Sequence, residues 1–274
     1  MPWLTKFCTL WLILVILAAA LADLIPGLAD PNYQGFVFGE GKTNEGPTAS
    51  HWLGTDNVSR DILARLIYGA RVSLIFAASG VFFGIVIGGL VGSIAGYFRG
   101  FLETSLMFSV DVMLSFPALI GFLCITQFLG RQDLFILCLV IAIFIWPPFS
   151  RVARATALSV SGKDFVTAAR AIGTSTRRIL FREIFPNVFP TLLAYGLVLL
   201  ATLVILESTL SFLGLGVEIP TASWGGMINQ GRQDLLINIW PPIWPAATLL
   251  MTVFSFNNLA DWLQKQAASR SAAI

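Results

Sequence analysis

From Val72 to Phe98 the chain carries no charged residue. A helix needs about 20 apolar residues to cross a bilayer. In lipid the backbone groups of such a segment must bond within it, so the segment must be helical. Gly80, Gly84, Gly88, Gly92 and Gly96 recur at every fourth position of this run. On a helix they form a nearly flat stripe, where a second helix can approach closely. Further apolar runs cover Phe7 to Ala22, about Leu102 to Leu129, Leu134 to Phe149, Val188 to Leu206 and about Ile237 to Leu259. The predicted fold class is therefore an all-α polytopic membrane protein with about six transmembrane helices. With 56% apolar and 12% charged residues, the chain departs from the roughly 45–50% and 25% of soluble domains.

The first run ends in Ala20-Leu21-Ala22, which has the form of a signal-peptidase site. It follows a single charge, Lys6, and extends toward Ile25, so it reads as an uncleaved span. Basic residues set the orientation. With the N-terminus inside, eleven of the seventeen Lys and Arg fall in inner segments, and the outer segments hold most of the acids, Glu40 among them, and Arg131. This places both termini in the cytoplasm. The stretch Ser59 to Ser73 is amphipathic and suits an interfacial helix at the outer surface. The predicted organisation is residues 1–71 as first span, outer loop and interfacial helix, then residues 72–274 as a membrane core.

Asp111 lies within the third span, where an unpaired carboxylate is costly, so it must face protein or water. It serves either a transport path or a bond to a neighbouring helix. Pro117 is expected to kink the same span. Trp146-Pro147-Pro148 is expected to close the fourth.

The longest polar interval of the second half, Ser161 to Pro186, has the pattern of an ordered helical pair. Phe165, Ala168, Ala169 and Ile172 fall at i, i+3, i+4 and i+7, on one face of a helix. Ser161 stands where an N-cap would, with Asp164 three residues on. Gly173 ends the first helix and Pro186 is expected to stop the second. Such a pair either docks a partner or lies on the lipid surface.

Thr167-Ala168-Ala169-Arg170-Ala171-Ile172-Gly173, followed by Ile184-Phe185-Pro186-Asn187, resembles the EAA loop of ABC importer permeases, with Thr167 in place of the usual acid and Phe185 in place of Leu. In that family the loop is a cytoplasmic coupling helix that docks on an ATPase. The resemblance thus implies docking roles for Phe165, Ala168, Ala169, Arg170, Ile172, Gly173 and Pro186. His51-Trp52-Leu53-Gly54-Thr55-Asp56, Arg60-Asp61-Ile62 and Arg65 to Leu74 are similar to the opening signature of permeases from dipeptide, oligopeptide and nickel importers, with Ser59 where Gly is usual. The run from Glu207 through Ser211-Phe212-Leu213-Gly214-Leu215-Gly216 to Trp224-Gly225 resembles the same permeases. So does Phe256-Asn257-Asn258-Leu259-Ala260-Asp261, with Ala260 where Gly is usual.

The resemblance implies a type I importer permease carrying small peptides, or else nickel or another small solute. It also implies a homologous second permease in a heterodimer, two ATPase subunits and an extracytoplasmic binding protein. Glu207 and Trp224 then belong to a loop over the outer mouth of the path, or to a lid packed on the spans, and Asp111 to the path or gate. No cofactor is expected in this chain, because ATP and Mg would sit on the ATPases. Gly41-Lys42-Thr43 lacks the glycine a phosphate loop needs five residues earlier. Cys8, Cys124 and Cys138 all lie in apolar runs, without metal spacing. A zinc protease needs two histidines, and His51 is the only one. An aspartyl protease needs a second membrane acid beside Asp111. An ion channel would need a filter and no docking helix. No nucleic-acid partner is expected.

Overall fold

A computed structural model describes residues 2–39, 41–130 and 132–271. Glu40 and Arg131, two of the outer charges, lie outside the described residues. The long helices are α1 (Trp3–Ala20), α2 (Ile62–Phe98), α3 (Gly100–Ser115), α4 (Ala118–Leu129) and α5 (Leu134–Ser161). They are followed by α6 (Asp164–Ala171), α7 (Thr176–Phe212), α8 (Trp224–Gly231) and α9 (Trp240–Ser271). Two wide π turns are built into them, Gly84–Gly88 in α2 and Leu180–Ile184 in α7. Among the described residues, α1, α2, α5 and α7 are long and apolar enough to cross a membrane. The pair α3 and α4, bent by 80° at Phe116-Pro117, makes a fifth if it counts as one span. The break at Pro117 thus goes further than a kink, because Phe116 is extended there. Helix α9 covers most of the sixth predicted run but falls short of that apolarity, and it carries Asn257, Asn258 and Asp261.

Several predicted boundaries move. The stretch 59–73 forms no separate interfacial helix, because α2 starts at Ile62 and continues unbroken. Its cap is Asp61, whose carboxylate accepts from the Ala64 amide at 2.7 Å. Pro147 and Pro148 lie inside α5. The carbonyls four residues before them lose their donors, yet in an apolar setting the rest of the ladder has no better partner than itself. Ser161 is the last residue of α5, not an N-cap; its hydroxyl donates back to the Ala157 carbonyl at 2.6 Å. Pro186 does not stop α7. The π turn resets the hydrogen-bond ladder just before it, so the missing N–H falls where helices tolerate proline.

The chain folds as two compact units. One comprises residues 1–77, 126–137 and 200–274, the other 78–125 and 138–199. In the first, α1 lies along α9. Cys8, Leu12 and Val15 are buried, and Trp11 Nε1 donates to Thr252 Oγ1 at 3.2 Å. Arg71 ties the end of α1 to α2. Its Nε donates to the Ala19 carbonyl and its Nη2 to Asp23 at 2.7 Å. That bond, with one from Tyr68, holds the Asp23 carboxyl below the usual carboxylate range. In the second unit Phe149 is the hub. It is fully buried, edge-on to Tyr195 at 5.1 Å between centroids, and packed against Gly84 and Gly88.

Candidate functional site

Helix α6 begins after Lys163 and closes at Gly173, whose φ is +76°. The Gly173 amide bonds the Arg170 carbonyl and the Thr174 amide the Ala169 carbonyl, both at 3.0 Å. This double closure satisfies the last carbonyls of the helix and requires a left-handed residue, which glycine supplies without strain. Val166 is fully buried and anchors the helix from beneath. Phe165 is 40% and Ile172 82% exposed; Ala168 is exposed and Ala169 half-buried. The predicted face is therefore largely open among the described residues, most of all at Ala168 and Ile172. Arg170 turns off that face and lays its guanidinium over the Tyr97 ring, 4.8 Å from the centroid. Beyond Gly173, Arg177, Arg178 and Arg182 surround Phe181, half-exposed beside them. Pro186 is exposed but belongs to α7.

The glycine stripe lies against α5 over much of its length. A Cβ on Gly88 would stand 2.6 Å from Phe149 Cβ and 3.0 Å from the Ser150 amide nitrogen. On Gly96 it would stand 2.7 Å from the Arg154 carbonyl oxygen and 2.9 Å from Ala157 Cβ. Gly92 meets Ser150 and Ala153 in the same way, Gly84 meets the Phe149 ring, and Gly80 is buried. Asp111 on α3 accepts from Arg151 Nη2 on α5 at 2.7 Å, and both side chains are more than half exposed. Glu103 on α3 accepts from Arg154 Nε at 2.7 Å.

Glu207 and Trp224 are closed inside the protein. Glu207, 1% exposed, accepts from Ser73 Oγ on α2 at 2.5 Å and from Ser211 Oγ at 2.7 Å. Trp224 is fully buried, and its Nε1 donates to the Leu66 carbonyl at 3.0 Å. Gly69 and Gly225 let the neighbouring backbones come close, to Ser223 and Ser208 respectively. Neither residue is open to solvent in this structure. Glu207 stands inside α7, not in the expected loop, because that helix runs on to Phe212, and Trp224 opens α8; together they hold α7 and α8 onto α2. Truncating Glu207→Ala would leave two buried hydroxyls without their acceptor, and such losses cost about 1–3 kcal/mol. A lower melting temperature of the purified protein is expected, with Glu207→Gln falling less because it retains one oxygen acceptor.

A second buried polar cluster explains the signature at 51–74. Asp56 accepts from Arg60 Nε at 2.6 Å and lies 3.8 Å from Arg65 Nε. Arg60 Nη2 donates to Gln230 on α8 at 2.7 Å. Arg65 Nη1 donates to the Pro31 and Pro220 carbonyls at 3.1 Å each. His51 Nδ1 is 2.8 Å from Asp61. The turn that brings these together holds Ser59 at φ +63°, a left-handed conformation in a non-glycine residue, with its hydroxyl buried and unbonded. Ser59→Gly is therefore expected to stabilise the protein by about 1 kcal/mol, read as a rise in thermal melting temperature.

The ion pairs across α3 and α5 and the serines around Glu207 were not assembled from sequence. Asp111 carried a usable signal: a membrane carboxylate requires a cation, and Arg151 is in an adjacent apolar helix. Ser73, Ser208 and Ser211 gave none, since short hydroxyls are common in membrane helices, where they bond their own backbone.

Residues 80–272 match the family described as binding-protein-dependent transport system inner membrane component. The glutathione transport system permease protein GsiD of Escherichia coli O6:K15:H31 (strain 536) is 36% identical over 255 residues, covering 93% of this chain and 82% of the relative. GsiD of Shigella dysenteriae serotype 1 (strain Sd197) is 34% identical over the same shares. Among solved structures, an inward-facing form of the MetNI methionine ABC transporter superposes with a TM-score of 0.61 at 20% identity, covering 75% of this chain and 97% of that one. An amino acid ABC transporter gives 0.54 at 16%, covering 74% and 94%. These two likenesses establish the fold. With the family match, the 36% identity and the apolar spans taken together, the chain belongs to the binding-protein-dependent inner-membrane components and is a permease of an ABC importer.

Proposed function

We propose that this permease is a non-catalytic subunit that carries small peptides inward, driven by ATP hydrolysis on partner subunits. It pairs with a homologous second permease, docks two ATPases that bind ATP and Mg, and receives cargo from an extracytoplasmic binding protein. Both termini and α6 lie in the cytoplasm, a reading supported by the eleven basic residues of the inner segments. The observation that carries the proposal is the open face of Phe165, Ala168 and Ile172 on a short helix pinned by buried Val166. Small side chains flanked by a larger apolar anchor suit insertion into a partner's groove. Peptide cargo is supported by the relatives, which are named for glutathione, a tripeptide.

The test is to express the chain with its partner subunits, purify the assembly and identify the co-purified ligand by mass spectrometry. A peptide, together with ATP hydrolysis that requires this chain, is the expected result. Bound nickel without peptide would overturn the cargo assignment.

A further inference from the structure

Resting on that peptide reading, we infer that the cleft between α3 and α5 is a weak binding site for the charged ends of a small zwitterion, within the permease itself. The cleft has a volume of about 640 Å³ and is lined by Glu103, Met107, Asp111, Arg151 and Arg154. Glu103, Met107 and Asp111 stand at i, i+4 and i+8 on α3, so they share one face. The acids are about 12 Å apart along that helix and the arginines about 4.5 Å apart along α5. Each acid nevertheless meets its own arginine at 2.7 Å. The arginine side chains therefore splay, leaving Met107 and open space between the two pairs.

Asp111 and Arg151 are 60% and 57% exposed. Arg151 follows the fourth apolar run and counts among the basic residues of the inner segments, so the pair stands toward the inner, water-facing end of the two helices. A water-facing ion pair is held weakly, and a charged solute can exchange with either partner at little cost. An extended dipeptide presents an ammonium and a carboxylate about 7 Å apart. The ammonium suits Asp111 or Glu103. The carboxylate suits the planar fork of Arg151 or Arg154. Four charges of balanced sign favour a zwitterion over a simple anion or cation, and weak binding is what a conducting path requires.

The test uses the assembled complex in detergent, with Cys8, Cys124 and Cys138 replaced by alanine and Met107→Cys introduced. A water-soluble thiol reagent is expected to label this cysteine rapidly. At a millimolar Kd, about 10 mM dialanine slows labelling about tenfold. The blocked analogue N-acetylalanine N-methylamide does not, and dialanine no longer protects when Glu103→Gln and Arg151→Gln are added. Failure to label, or equal protection by the blocked analogue or in the charge-neutral background, overturns the inference. So does protection by glycerophosphoethanolamine but not dialanine, which would make the cleft a lipid-headgroup site. Labelling needs neither ATP nor uptake. Peptide uptake by a complex without protection therefore refutes the cleft alone. Protection in a complex that takes up no peptide upholds the cleft and refutes the cargo reading.

Discussion

Gly88→Leu is expected to abolish production of folded permease. Any side chain at Gly88 points into α5, where Phe149 Cβ and the Ser150 amide already stand within 3.0 Å of the first added carbon. Phe149 cannot yield, since it is fully buried and fixed between Gly84 and Tyr195. The helices must separate, losing contact along the whole stripe. Overpacking costs about 1–3 kcal/mol where side chains can shift, and more where backbone opposes backbone. That is a large share of the about 5–15 kcal/mol that holds a typical domain folded. Size-exclusion chromatography of detergent-solubilised protein should show loss of the monodisperse peak, with Gly88→Ala intermediate. Val86→Leu, on the 46% exposed side of the same π turn, should behave as the parent. A normal peak for Gly88→Leu would mean that the stripe does not pack on α5.

The second large effect is expected at α6. Ala168 and Ile172 are exposed in the free chain, so Ala168→Glu and Ile172→Glu should leave its folding unchanged. If the ATPase covers this face, either variant buries a carboxylate with no assured partner, at about 3–5 kcal/mol. That is enough to lose the ATPase on co-purification. Arg170→Ala forfeits only a stack on Tyr97, about 0.5–1 kcal/mol at an exposed site, and should retain it. The reverse order, with Arg170→Ala weakening membrane attachment and both glutamates retaining the ATPase, is what a hairpin lying on anionic lipid would give.

The spans were legible because hydropathy responds to a single physical demand, removal of apolar side chains from water. Gly173 and the face of α6 were legible for a similar reason, since a left-handed turn and a 3.6-residue period each leave a local mark. The differences at Arg65, Pro147 and Pro148 share one cause, since the rules behind those expectations assume water as the competing partner for backbone and charge. Arg65 looked like the polar side of a surface helix, yet it is 1% exposed and bonded to Pro31, Pro220 and the Asp56 cluster. Pro147 and Pro148 looked like stops, yet a helix with nowhere else to place its polar groups continues through them; Pro186 is passed for the separate reason of the π turn before it. Glu207 was legible only as part of a loop or lid; its partner Ser73 lies 134 residues away, which no local pattern records.

The π turn at Gly84–Gly88 also settles a matter of phase. A regular α-helix turns about 100° per residue, so a repeat of four overshoots one full turn by about 40°. Four such steps carry Gly96 about 160° around from Gly80, so the nearly flat stripe expected from the spacing does not hold on a regular helix. One residue absorbed in a wide turn takes back about 100° of that drift. Gly84, Gly88, Gly92 and Gly96 can then all look at one neighbour, as they do. The repeat of four and the wide turn are thus two halves of one device, and neither works alone. Straightening the wide turn without removing a residue would restore that drift of about 100° and swing Gly92 and Gly96 away from Ala153 and Ala157, whereas deleting one residue between Gly84 and Gly88 would give a regular helix and keep them in place.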